Sequence, residues 1–368
     1  MKNIINAFSK LKEPRKHKAR KHPLINIVCM GVAAAACGAT SWYEIQYFCE
    51  AHEEWFASFL DVSNGIPSHD TFNRFFSIAD PAALESCFCD WVKESVELKK
   101  GSTICIDGKT IRGCGERGEP SFIHMVSAWC CEEGISLGQL KVEDKSNEIT
   151  AVPKLLDTID IKGCVVTTDA MSCQKDIARK IIENGGDFML AVKGNQKGLL
   201  ESIQETTKMT RPILSHSVAD AGHGRVEERT CKVYKDLTYL HGEWSWVGIN
   251  SLVVVESLRH NKKTGEESVF TRYYISSLKP SAKAMERIVR KHWSVENNLH
   301  WTLDVEFMED RCRKRRGNAA QNFSRLNRFA INLLKKSSID GNGRPGVKFK
   351  RLSACWNDSE RLKLLMGY

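Results

Sequence analysis

Two aspartates each close an apolar run. Asp107 ends Thr103-Ile104-Cys105-Ile106-Asp107, and Asp169 ends Cys164-Val165-Val166-Thr167-Thr168-Asp169. Acids at the ends of buried strands project into the crevice where an α/β sheet binds its ligands. If the two strands are neighbours, unpaired carboxylates there repel and one holds its proton to higher pH. A divalent cation removes that cost, and hard oxygen donors with water and phosphate suit Mg²⁺, with Mn²⁺ as a substitute. A third acid is needed to hold a metal pair, and Glu296 is the choice. On a helix, His292, Trp293, Glu296 and His300 share one face by i, i+3 and i+4 spacing. Two ions a few Å apart serve an in-line phosphoryl displacement by water or a hydroxyl, with no Ser, Cys or Lys nucleophile. Any one of these acids alone also fits a helix cap or a surface carboxylate. Two of them at strand ends favour chemistry.

The elements that must position these acids fall into blocks. Residues 1–98 read as mainly helical, with an apolar face on Ile25, Val28, Cys29, Val32 and Ala36. Ser41 and Glu44 form a capping box, Ser68-His69-Asp70 opens another helix, and Pro81 begins a fourth. Residues 99–210 then run β-β-β-α-β-α-β-α. That order is an antiparallel meander followed by right-handed crossover units, giving a mixed sheet with helices on its faces. Strands at Arg225–Tyr234, Trp244–Ser257 and Val269–Ser276 make residues 211–277 a β-rich insertion. Trp244 and Trp246 belong to its core. Residues 278–337 are helical again and carry the third acid, and 338–368 form a C-terminal tail. The fold class is therefore α/β.

Composition narrows the partners. At roughly 150 residues per domain, 368 residues make two or three domains. Apolar residues at 42% and charged residues at 27% exclude a disordered or fibrous chain. The apolar run Ile25–Ala36 is too short to span a bilayer, so no membrane partner is expected. No signal-peptide pattern opens the chain, and the fourteen cysteines form no C-x-x-C pair. Reduced thiols, no structural zinc and a cytoplasmic location follow as expectations. The net charge of +9 suits a polyanion, and its placement says more. Lys10 to Lys21 carries seven basic residues in twelve, and Arg311 to Arg316 five in six. Arg313, Arg315 and Arg316 are candidates for tracking the backbone of a polyanion. So are Lys109 and Arg112 beside the first acid, Lys193 in Lys193-Gly194-Asn195-Gln196-Lys197, and Arg225 in His223-Gly224-Arg225.

Three longer stretches carry a resemblance. They are Asp107-Gly108-Lys109-Thr110-Ile111-Arg112; Thr168-Asp169-Ala170-Met171-x-x-Gln174; and His292-Trp293-x-x-Glu296-Asn297-x-Leu299-His300-Trp301-x-Leu303-Asp304-Val305-x-Phe307-x-Glu309-Asp310. Together they resemble the DDE transposases of ISAs-type insertion sequences and the H-repeat-associated proteins linked to Rhs elements. His22-Pro23-Leu24 and Gly65-Ile66-Pro67-Ser68-His69-Asp70-Thr71-Phe72 resemble the segment that precedes the catalytic core in that family. The resemblance covers nearly the whole chain. It implies a ribonuclease-H-like core interrupted by the β-rich insertion, with Asp107, Asp169 and Glu296 as the catalytic, metal-binding acids. It also implies two Mg²⁺ ions and DNA cleavage at element ends followed by strand transfer. The implied partners are the element's terminal repeats, target DNA and further copies of the chain in a dimer or larger synapse, in a bacterial cytoplasm at the nucleoid. Related transposases carry a Tyr-Arg-Glu-Lys signature around the third acid. Here Val289 stands at the Tyr position and Leu303 at the Lys position, so the grip on the terminal phosphate falls to Arg290, His292 or His300. Two other functions compete: a nuclease that hydrolyses without joining, and a degenerate relative kept as a DNA-binding protein.

Overall fold

Apolar runs with a two-residue alternation build the centre of this computed structural model, which describes residues 4–16, 20–114, 122–143, 146–222, 225–238, 240, 246–339 and 346–366. Lys18, the His223-Gly224 turn, Trp244 and most of the Gly113–Pro120 loop lie outside the described residues. The strands are β1 (Thr103–Ile111), β2 (Ile123–Cys130), β3 (Ile135–Lys141), β4 (Val165–Thr168), β5 (Asp187–Val192), β6 (Leu214–Gly222), β7 (Arg225–Tyr234), β8 (Ser251–Asn261) and β9 (Glu267–Ser276). Among the described residues they form one mixed sheet in the order β3-β2-β1-β4-β5-β9-β8-β7-β6. β1, β4 and β5 run parallel, and the other pairs are antiparallel.

The β-rich segment after residue 210 extends this sheet instead of standing apart from it. β9 lies against β5, with Leu190 opposite Ile275. Trp246 is buried as expected, but it precedes β8 and is not part of a strand.

Alternation sorts the side chains to two faces. Val165, Met189, Val253 and Val255 pack with Met285, Ile288 and Val289 of helix α10 (Ala282–His292). The opposite face carries Val166, Phe188, Leu190, Leu252 and Val254. There it meets α7 (Glu148–Leu156) and α8 (Lys175–Glu183) through Val152, Leu155, Ile177 and Ile181. Helix α9 (Lys197–Met209) adds Leu199 and Ile203 to the same core.

The first hundred residues supply α1 (Ile4–Ala7), α2 (Leu24–Ala36), α3 (Trp42–Ala51), α4 (Glu53–Ala57), α5 (His69–Ile78) and α6 (Pro81–Ser95). Ser41 caps α3 with the full capping box, and Ser68 caps α5 by accepting from Thr71 N–H. Helix α2 is apolar almost all round, and its residues from Asn26 to Ala36 are buried. A helix of that kind belongs inside a larger core. The enclosing partner is α12 (Ala319–Lys336), which follows the short α11 (Trp301–Val305). Phe329 meets Phe8, Phe88 and Trp91 at ring separations of 4.8, 4.8 and 5.0 Å, and Phe323 meets Trp42 edge-on at 5.2 Å. The stretch expected as a tail contains α13 (Val347–Trp356) and α14 (Asp358–Met366). One continuous core runs from Ile4 through Ile104, Val166 and Phe329 to Leu365. No helix among the described residues is long and apolar enough to cross a membrane.

Candidate active site

Register brings the two aspartates together. Cys105 on β1 stands opposite Thr167 on β4, and Thr167 opposite Met189 on β5. Two residues further along, Asp107 and Asp169 reach matched positions on the same face. Lys193, four residues beyond Met189, keeps that parity. Asp169 follows the last residue of β4 and caps the short turn Ala170–Ser172, its Oδ1 accepting from Ser172 N–H at 3.4 Å. The Lys193-Gly194-Asn195-Gln196 loop is stitched to that turn. Asn195 Nδ2 donates to Ala170 O at 2.7 Å, and Gln196 Nε2 donates to Cys173 O at 2.9 Å.

Helix α10 and its continuation cross this face. Cys105 Sγ lies 3.6 Å from Lys291 O, and His292 Nδ1 lies 3.5 Å from Thr167 Oγ1. Beyond α10, residues Glu296–His300 form a π-helical turn in which Trp301 N–H donates to Glu296 O. Such turns occur often at functional sites. The helix is interrupted at Trp293, and the single face expected from the sequence is split. His292 and His300 turn inward, with His300 Nδ1 3.7 Å from Asp107 Oδ2. Trp293 and Glu296 are exposed, and the Arg272 guanidinium lies 5.3 Å from the Trp293 ring centre.

Charge at the site is unbalanced. Burial first, then Asp169, Glu148 and Glu296, push the Asp107 carboxyl up to about 7, against a donated bond from Gly108 N–H. Burial and Glu148 also raise Asp169, while Lys193 offsets part of the rise. Burial drives His292 and His300 down to about 4, helped by Lys193 for the first and by Arg328 and Lys109 for the second. Both imidazoles are therefore neutral at pH 7 and offer hydrogen bonds, not positive charge. A pH dependence follows for the cation-free protein. Folded Asp107 holds its proton to about 7, and the unfolded chain releases it near 3.8. That stability is present below the lower value and is lost as pH rises through the upper one. Asp107→Asn is expected to flatten the fall in Tm measured with a chelator between about pH 4 and 8.

A fourth carboxylate joins the three expected ones. Glu148 opens α7, and its Oε1 lies 2.5 Å from His124 Nε2, whose Nδ1 is 2.9 Å from Thr110 Oγ1. Thr110 and His124 are register partners on the face opposite Asp107. Glu148 thus approaches Asp107 across Gly108. A Cβ at that glycine would lie 2.7 Å from both Glu148 Cδ and His124 Nε2. Nothing in the sequence sets Glu148 apart, because an acid in a first helical turn already suits the helix dipole.

The cations divide into two groups. Lys109, expected to touch DNA, is instead buried: its Nζ is 2.6 Å from Asp304 Oδ1 and 3.8 Å from Glu309 Oε2. Alternation turns it inward beside Asp107, where these acids offset its charge. Arg328 completes this buried layer, donating to Glu309 Oε1 at 3.0 Å, Ser127 Oγ at 3.1 Å and Ser324 Oγ at 2.6 Å. Lys314 is also buried, 3.4 Å from the Phe323 ring centre, and donates to Thr40 O at 2.6 Å. In the N-terminal basic run, Arg15 is buried and donates to Glu13 and to His22 O. Arg112, Lys193, Arg225, Arg290, Arg313, Arg315 and Arg316 remain exposed.

A hard divalent cation fits this donor set. The acids are oxygen donors, half-buried at Asp107 and Asp169, and burial with their mutual repulsion raises both carboxyls. Among the described residues, no three His, Cys, Asp or Glu side chains are already drawn to ligating distance of one point.

Comparison with known proteins agrees in kind. The family model described as "Transposase DDE domain" matches residues 98–333, and the one described as "DDE_Tnp_1-associated" matches residues 5–92. "Putative transposase YncI" of Escherichia coli O157:H7 is 41% identical, covering 97% of this chain and 93% of that protein. "H repeat-associated putative transposase YhhI" of Escherichia coli K12 is 38% identical, covering 100% of this chain and 98% of that protein. Among solved structures, the piggyBac transposase synaptic complex with hairpin DNA overlaps 98% of this chain and 75% of that chain. Its TM-score of 0.43 and 13% identity are too low to carry an argument.

Proposed function

Because the chain belongs to the transposase DDE family, we propose that it cleaves DNA at the ends of an insertion element and joins the freed ends to target DNA. The observation that carries this reading is the register match of Asp107 and Asp169 on the face crossed by the Glu296 segment. In this reading the strands β1 to β5 and their helices are a ribonuclease-H-like core, and residues 5–92 form an associated helical region. Asp107, Asp169 and Glu296 are the catalytic acids and would hold two Mg²⁺ ions. When bound, those ions supply Lewis-acid stabilisation of the in-line displacement.

The chain's own residues do the rest. Asn195 and Gln196 hold the loop that carries Asp169, and neutral His300 orients Asp107. The exposed cation Lys193 acts on Asp169, and with exposed Arg112 and Arg290 it would meet the phosphates of the cut strand. Arg225 extends that surface to the far strands. The protein works as a homodimer or larger assembly on paired DNA ends.

The test is a labelled duplex of the element's terminal repeat, incubated with full-length protein and Mn²⁺ or Mg²⁺. Nicked ends followed by products joined to target DNA support the reading. Cutting without joining would make the protein a nuclease. Retained binding with no cutting would make it a relic that only binds DNA.

Arg313, Arg315 and Arg316 point to solvent around buried Lys314, so they can be changed without touching the core. Their triple alanine variant is expected to reduce the slope of log K against log salt by up to about 2.7, since each phosphate neutralised contributes about 0.9. Binding isotherms at several salt concentrations measure it, and an unchanged slope removes these residues from the DNA path.

A further inference from the structure

Glu148 lies outside the triad, and its bond with His124 holds it near the two aspartates. A carboxylate that served only the dipole of α7 would point to solvent. This one is half-buried and drawn back over the sheet edge. The position beneath it is glycine, where any side chain would collide with both Glu148 and His124. Its charge raises both the Asp107 and the Asp169 carboxyl.

We propose that Glu148 is a further ligand of the divalent-cation site, aimed by His124 and given its room by Gly108. This rests on the transposase reading of the same acids. His124 bonds Oε1, so that oxygen is fixed and Oε2 is left for a ligand. The Thr110 hydroxyl on Nδ1 fixes the ring in turn. Ligating carboxylates are commonly held by such outer hydrogen bonds, and losing one costs about 10–100-fold in metal affinity. His124 is thus a positioning residue, and the Thr110-His124-Glu148 chain is its means. The arrangement also accounts for a fourth acid where three already repel one another. In the absence of a cation the extra charge only destabilises the site.

The experiment is Mn²⁺ binding to the full-length protein without DNA, read by calorimetric titration and by the Mn²⁺-induced rise in Tm. Glu148→Gln keeps the shape and removes the charge. It is expected to weaken Mn²⁺ at least about tenfold and to shrink the Tm rise, with His124→Gln intermediate. Asp169→Asn is the reference for a triad acid, and Glu143→Gln is the exposed control, expected to match wild type. Circular dichroism of the metal-free variants checks the fold. Should Glu148→Gln prove unfolded, Glu148→Asp takes its place: it keeps the charge but draws it back by one methylene, so weaker Mn²⁺ binding is again expected. Wild-type Mn²⁺ affinity in the folded Glu148 variant, with affinity lost in Asp169→Asn, overturns the proposal and spares the triad. Wild-type affinity in both overturns the triad reading as well.

Discussion

Asp169→Asn is expected to lower DNA strand cleavage by roughly 10³-fold or more, about 4 kcal/mol of transition-state stabilisation, while leaving DNA affinity near wild type. The size follows from the proposed role of Asp169 as one of few anionic oxygens facing the reacting phosphate. The choice of asparagine follows from its local bonding. Asp169 Oδ1 accepts from Ser172 N–H, and an amide oxygen at the same place preserves that cap. The exposed arginines that would hold DNA lie on other elements, so binding and cutting separate. Single-turnover cleavage with Mn²⁺, beside a gel-shift titration of the same duplex, measures both. Cleavage at the wild-type rate removes Asp169 from the chemistry.

The second large effect is on stability. Arg328→Leu is expected to cost about 3–5 kcal/mol, since it strands the buried Glu309 carboxylate that Arg328 now meets at 3.0 Å. Ser127 and Ser324 each lose a donor as well. Lys109 stands 3.8 Å from the other oxygen of Glu309 and offsets only part of that charge. The pairing of Arg328→Leu with Glu309→Leu should cost less than the two single changes together, because no lone charge then remains buried. Chemical denaturation of the four proteins gives the cycle. A single-variant loss below about 1 kcal/mol would show that water reaches this layer.

Much of this was legible in the chain. Apolar runs ending in Asp107 and Asp169 marked buried strands, because only a doubly covered strand is apolar on both faces, and the structure makes the two parallel neighbours. Capping residues Ser41 and Ser68 marked their helices because the cap is a local bond. What escaped depends on distant partners. β6 is mostly exposed and lacks an apolar stripe, so only its pairing with β7 defines it as a strand. The join of β5 to β9 brings together residues some eighty positions apart, and nothing local specifies it. Lys109 looked like a free cation because Asp304 and Glu309, its partners, come from the far end of the chain. Helical spacing put His292, Trp293, Glu296 and His300 on one face, and the break in the helix at Trp293 leaves the histidines turned inward with Trp293 and Glu296 exposed. Glu148 was hidden because its meaning lies in Gly108 and His124, not in its own neighbours.

The core shared by α1 to α6, the sheet and α12 has a consequence for ancestry. In a protein assembled from separable modules, one recognition unit can be exchanged for another by a crossover between them. Here the helices before residue 98 and the helix after residue 318 close around each other, so a break at the boundary between the two family segments would leave Phe329 and Phe323 without their covering rings. Exchange or loss of either segment alone therefore opens the shared core, and a chain cut at that boundary is expected to lose its fold.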